Sequence, residues 1–191
     1  RVIANRSFYT RIAKGSEAAV RTYADEAWTN ATWIVRSLEQ RARTILKVAT
    51  EIVRHQDAFF TYGVAHLKPL NLKTIAEAVQ MHESTISRVT ANKFMATPRG
   101  LFEMRYFFST AIAASDGGEA YSSESVRHRI RQMIDAENPR AILSDDAIVE
   151  GLRAAGIEVA RRTVAKYREA MRIPSSSVRR REKAAGVARH G

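Results

Sequence analysis

The stretch Ala160-Arg161-Arg162-Thr163-Val164-Ala165-Lys166-Tyr167-Arg168-Glu169 decides how the rest of the chain is read. On a helix, Ala160, Val164, Tyr167 and Met171 fall at i, i+4, i+7 and i+11 and make one apolar stripe. Arg162, Lys166 and Glu169 then project from the opposite face, with Arg161, Thr163 and Arg168 on its flanks. A short helix with a packed back and a cationic front is what a major groove admits. Arg can grip guanine through two hydrogen bonds, while Lys and Thr can hold phosphates or further base edges. A merely solvated basic face would have the same composition, so context must decide.

Charge supplies part of that context. From Val159 to Gly191 ten Lys/Arg stand against two Glu, a net of +8 within a total of +11. The first 158 residues carry 21 against 18, a net of only +3. Basic charge gathered at one end is the footprint of a polyanion site. Ser175 to Gly191 lacks the bulky apolar face that would suit an anionic membrane instead. The 191 residues suffice for one or two domains, and at 45% apolar they suffice for a buried core. Cysteine is absent, which excludes disulfides and thiol chemistry. There is no run of about 18 apolar residues to span a bilayer, and no signal-peptide core. A cytoplasmic protein is expected, and the opening Arg1 suggests a fragment of a longer one.

Working back from the N-terminus, residues 1–15 hold Phe8, Tyr9 and Ile12 among basic groups and end at Gly15. From Ser16 to Tyr62 there are 47 residues without Gly or Pro. Val35, Leu38, Ala42, Ile45, Ala49, Ile52 and Phe59 recur there at heptad spacing, interrupted at Gln56. A single helix over that stretch would be about 70 Å long, so it should bridge modules or pack along a partner. Leu38, Ile45 and Ile52 are its candidate partner contacts. A break, if any, would fall at Trp28 to Thr32, where Thr and Asn favour caps.

Pro69 closes this region, and Asn71 can cap a helix running to Val79. After Gln80-Met81-His82-Glu83 a second helix is expected from about Ser84 to Lys93. Ile75, Ala76, Val79, Met81, Ile86 and Val89 then sit where a helix-turn-helix places its own small core, although Gln80 stands where a glycine is usual. Ser84, Thr85, Ser87 and Arg88 are the candidate DNA contacts of this second helix, with Arg88 at its centre. Thr97-Pro98-Arg99-Gly100 is a turn. The aromatic segment Leu101 to Phe108 should cover this core, whether helical or extended.

Ser115-Asp116-Gly117-Gly118-Glu119 reads as a linker. A helix should run from Ser123 to Glu137 and stop at Asn138-Pro139. Ser144 with Asp145 and Asp146 makes an N-cap and acidic first turn for a helix to about Ala155, ended by Gly156. Ile157-Glu158-Val159 turns the chain into the helix Ala160–Met171. This is a second helix-turn-helix. Ile173-Pro174 ends it, and the Ser- and Arg-rich tail is expected to be disordered.

Enzyme chemistry is not legible. His55, His66, His82, His128 and His190 form no metal-binding pattern, no nucleophile–base set is apparent, and there is no Gly-rich phosphate loop. Asp145-Asp146 is explained by the helix start. No cofactor and no metal are expected. The residues alone still leave open a repressor that dimerises through its long helix, or a recombinase.

Residues 160–169 resemble, at all ten positions, the signature box of the sigma-54 (RpoN) family. The resemblance extends back through Met81-His82-Glu83-Ser84-Thr85-Ile86-Ser87-Arg88-Val89-Thr90, Thr97-Pro98-Arg99-Gly100 and Ala31-Thr32-Trp33-Ile34-Val35-Arg36-Ser37-Leu38-Glu39, and it covers nearly the whole chain. With the residue pattern it implies an all-α fold: the end of a core-binding domain and an extra-long helix (1–68), a first helix-turn-helix (69–114), a flexible linker (115–122), a separate three-helix RpoN-box domain (123–174) and a basic tail (175–191). The resemblance implies a non-enzymatic transcription initiation factor that reads promoter DNA. Arg161, Arg162, Thr163, Lys166, Tyr167 and Arg168 would serve an upstream GG element, and Ser84, Thr85, Ser87 and Arg88 a downstream GC element. It also implies core RNA polymerase as a partner, through the Leu38/Ile45/Ile52 stripe, and an AAA+ activator acting on the full-length factor. A monomer is expected, working at the bacterial nucleoid. The family's Gln- and Leu-rich activator-responsive segment and most of its core-binding domain have no counterpart in these residues.

Overall fold

The long stretch without Gly or Pro is helical over most of its length, as its composition permits, in a computed structural model that describes residues 2–14, 17–114 and 117–187. Helix α1 (Arg6–Ala13) precedes α2 (Ala18–His55), which is 38 residues long. The helix runs unbroken through Trp28–Thr32, the place where a break could have fallen. Thr29 and Thr32 donate their hydroxyls to the carbonyls of Asp25 and Trp28, at 2.8 and 2.9 Å. A Thr that bonds one turn back can sit inside a helix instead of capping it.

The chain divides at Val48 into two compact units. In the first, Asn5 caps α1 by accepting from the Phe8 amide at 3.0 Å. The Tyr9 ring stacks on Trp28 at 5.0 Å, and the Tyr9 hydroxyl donates to Asp25 at 2.6 Å. Tyr23, Trp33, Ile34, Leu38 and Leu46 remain exposed along α2.

The second unit explains why α2 stops at Gln56, short of Tyr62. The Gln56 side chain is fully buried, donating to the Lys68 and Phe107 carbonyls (2.9 and 3.4 Å) and accepting from the Lys68 amide (3.0 Å). The residue that broke the apolar heptad is therefore a polar tie between three segments, satisfied as a buried amide must be. Helix α3 (Asp57–Tyr62) follows. Its Phe59 lies at the centre of a ring cluster with Phe60, Phe102, Tyr106 and Phe107, centroids 5.2 to 6.1 Å away. Arg99 donates to the carbonyls of Phe60 and Thr61, closing the end of α3.

Helices α4 (Leu72–Val79) and α5 (Glu83–Thr90) form the first helix-turn-helix around Ile75, Ala76, Val79 and Ile86. Asn71 caps α4, accepting from the Thr74 amide at 2.7 Å. Gln80 occupies the left-handed conformation at φ 56°, which is the work a glycine usually does in this turn. That conformation costs an L-residue about 1 kcal/mol. Gln80→Gly should therefore raise stability by about that amount, measured by urea denaturation, and an unchanged or lower midpoint would refute it.

The fold is mostly helical but not all-α. Strands β1 (Phe94–Thr97) and β2 (Gly100–Glu103) make an antiparallel hairpin across the Thr-Pro-Arg-Gly turn. Met104–Phe107 is a 3-10 helix, so the aromatic segment is part strand and part 3-10. Strands β3 (Ala111–Ile112) and β4 (Tyr121–Ser122) pair antiparallel.

Three helices then surround a core of Val126, Ile130, Ile134, Ile148, Leu152, Ile157, Val159 and Val164: α6 (Ser123–Asp135), α7 (Asp145–Ala154) and α8 (Arg161–Ala170). Ser122 and Ser144 cap α6 and α7 through the Ser125 and Ala147 amides. The second helix-turn-helix was expected as a separate domain beyond a linker. Both helix-turn-helix modules lie in one compact unit, with α6 against the 3-10 helix Val64–His66 and β4 closing residues 117–120 back onto β3. Ser115 and Asp116 of the expected linker lie outside the described residues.

The tail, expected to be disordered, is helical over most of its length. Residues Ser176–Val187 form α9. Arg179, 5% exposed, donates to both oxygens of Glu137 (2.9 and 3.0 Å) and to the carbonyls of Pro174 and Leu143. Lys183 reaches the same carboxylate at 3.1 Å. Burial pushes the Glu137 carboxyl upward, but Arg179, the Leu143 amide and Lys183 outweigh it and hold it below its ordinary value. No helix among the described residues is long and apolar enough to cross a membrane.

Candidate nucleic-acid interface

Helices α5 and α8 each present cations on a packed support. On α8 the apolar stripe behaves as its spacing demands: Val164 is buried and Tyr167 half-buried against the α6–α7 core. Arg162 and Lys166 point outward and have no hydrogen-bond or ion-pair partner among the described residues. Arg161, also exposed, lies 3.3 Å from Asp146 on α7. Thr163 is half-buried on the flank.

Arg168 departs from expectation. It was grouped with the DNA contacts, but it is 5% exposed and turned into the fold. Its Nε and one terminal nitrogen donate to the two Asp145 oxygens at 3.0 and 3.2 Å, and the other terminal nitrogen donates to the Ile173 carbonyl at 2.9 Å. A bidentate pair of this kind fixes two helices in angle as well as distance. Donating to the Asp145 carboxylate raises the Arg168 pKa above its ordinary value despite burial. Arg168 therefore sets where α8 sits, and its guanidinium is not available to a duplex.

Tyr167 is likewise engaged, with the Arg127 guanidinium of α6 over its ring at 4.8 Å. Sequence reasoning missed Arg127, Asp145 as a partner of Arg168, and Glu137. Only the acidic first turn of α7 hinted at Asp145, and a helix cap explained that turn equally well.

On α5, Arg88 is exposed and has no partner among the described residues, while Ser87 and Thr85 are half-buried. Ser84 is exposed at the first turn, and its hydroxyl lies 2.8 Å from His82 Nδ1. That same nitrogen accepts from the Ser84 amide, so His82 caps α5. The structure thus collects Ser84 and Arg88 on one helix and Arg161, Arg162 and Lys166 on another. Leu38 (45% exposed) and half-buried Ile45 leave apolar surface in the first unit, whereas Ile52 is fully buried in the second. Ile52 is a core residue and not a partner contact.

The model of the Sigma-54, DNA binding domain family matches residues 21–181. The chain belongs to the sigma-54 DNA-binding domain family. It is 66% identical over 184 residues to RNA polymerase sigma-54 factor 2 of Bradyrhizobium diazoefficiens, covering 96% of this chain and 34% of that protein. It is 58% identical over 187 residues to the RNA polymerase sigma-54 factor of Rhizobium meliloti, covering 97% and 36%. The chain thus spans about a third of the length of these curated relatives. A crystal structure of Aquifex aeolicus sigmaN bound to promoter DNA is similar at 32% identity and a TM-score of 0.57, over 94% of this chain and 53% of that one. A dimerising repressor finds no support in these relatives.

Proposed function

We infer that these residues are the promoter-reading part of a sigma-54 transcription initiation factor. The observation that carries this is the division of labour on α8: Arg168 is committed inward to Asp145, while Arg162 and Lys166 are exposed and unpaired. That is the arrangement a recognition helix needs, a fixed seat and free donors. In this reading α8 takes the upstream GG element, with Arg162 on guanine and Arg161, Thr163 and Lys166 on flanking bases or phosphates. Tyr167 supports from the packed side. Helix α5 takes the downstream GC element through Arg88, with Ser84, Thr85 and Ser87 beside it. The chain binds double-stranded promoter DNA as a monomer in the bacterial cytoplasm. Leu38 and Ile45 contribute to association with core RNA polymerase, and the full-length factor answers to an AAA+ activator. The sigma-54 relatives and the DNA-bound sigmaN neighbour support this reading.

The test is quantitative binding to duplexes carrying spaced GG and GC elements, each mutated in turn. Arg162→Ala should cost about 1–3 kcal/mol of discrimination at the GG element, the worth of one bidentate Arg–guanine contact. Arg88→Ala should do the same at the GC element while leaving the upstream footprint in place. If Arg162→Ala weakens binding equally to matched and GG-mutated duplexes, Arg162 is a phosphate contact and the assignment fails.

A further inference from the structure

The tail helix α9 uses its cations in two different ways. Arg179 and Lys183, one turn apart, share a face and converge on the buried Glu137 carboxylate. Arg181, midway between them, stands on the opposite face at 3.6 residues per turn, and Arg180 lies between the two faces. Arg180 and Arg181 are both exposed and have no partner among the described residues.

The anchorage also says where α9 lies. Arg179 donates to the Leu143 carbonyl at 2.8 Å, one residue before the Ser144 cap of α7. The first turn of α7 in turn holds Asp145 on Arg168 and Asp146 near Arg161. Helix α9 is thus strapped beside the start of α7, the same turn that holds Arg161 and Arg168 of the recognition helix. In a helix-turn-helix the helix preceding the recognition helix crosses the phosphate backbone. The first turn of α7 would bring two carboxylates there, one paired with Arg168 and one near Arg161, so that turn offers phosphates no net positive charge. Cations held rigidly alongside would supply it.

We propose that α9 is a phosphate clamp, with Arg180 and Arg181 neutralising backbone phosphates that flank the groove entered by α8. This rests on the proposed role of α8 but adds a separate contact, one without base preference. A strap whose only task is stability needs Arg179 and Lys183 and nothing on the far side. Holding Arg180 and Arg181 in a helix also removes the entropy that a disordered basic tail loses on binding.

The experiment measures affinity of the 191-residue chain for promoter duplex across a salt series. Each phosphate neutralised contributes about 0.9 to the slope of log affinity against log salt. Arg180→Ala/Arg181→Ala should lower that slope by about 1.8, with the ratio of affinities for matched and GG-mutated duplexes unchanged. Arg180→Lys/Arg181→Lys should restore most of it. Arg129→Ala/Arg131→Ala, removing two exposed cations of α6, controls for net charge. An unchanged slope overturns the proposal, and so does an equal fall in the α6 control, which would mean long-range charge alone. Failure of the α8 reading is visible separately, as an absence of GG preference in the parent chain.

Discussion

Arg168→Ala should remove about 3–5 kcal/mol of stability and take duplex binding with it, although its guanidinium is turned away from the α8 face that would meet a duplex. The guanidinium is buried and fully used, on both Asp145 oxygens and on the Ile173 carbonyl. Alanine strands the Asp145 carboxylate, whose side chain is only 17% exposed, and leaves a carbonyl without its donor. The cost is that of an unpaired charge in a poorly hydrated place, which exceeds the net worth of the pair. Arg168→Lys should recover little, because a point charge cannot span two carboxylate oxygens and a third acceptor. Urea denaturation together with duplex binding separates the two roles. Binding lost with an unchanged denaturation midpoint would make Arg168 a DNA contact after all.

Arg168 also shows where sequence reasoning ends. Periodicity assigns residues to a helix face with a resolution of about one residue, and Arg168 lies at the edge of the stripe defined by Val164 and Tyr167. Whether such a flanking Arg turns out or in depends on an acceptor 23 residues earlier, which no local pattern reveals. The same holds for the tail. Ser and Arg composition suggested disorder, but one buried carboxylate, Glu137, organises Arg179 and Lys183 across more than 40 residues. What was legible was local. The caps at Asn71 and Ser144 formed as expected, because a cap is chemistry between residues three apart. The turn at Thr97–Gly100 followed from its residues, but the hairpin around it did not, because the aromatic run Leu101–Phe108 suits strand and helix alike.

Ile52→Ala should lower stability by about 2–5 kcal/mol, whereas Leu38→Ala should change it by no more than about 0.5 kcal/mol and act on partner binding instead. The two residues are two heptads apart and looked equivalent in the sequence. They are not equivalent in the structure, for two reasons. A straight helix drifts by about 20° per heptad, so residues 14 apart differ in direction by roughly 40°. Moreover, α2 leaves the first compact unit near Val48, and Ile52 lies in the second, fully buried, while Leu38 is 45% exposed, one turn after exposed Ile34. An exposed run of this kind on a helix is what a partner covers, and in the proposed reading that partner is core RNA polymerase. Urea denaturation of both variants, with co-sedimentation against core polymerase, reads the two effects independently. Leu38→Ala should keep its denaturation midpoint and lose polymerase. Leu38→Ala that retains polymerase would remove Leu38 from the contact, and Ile52→Ala that keeps full stability would remove it from the core.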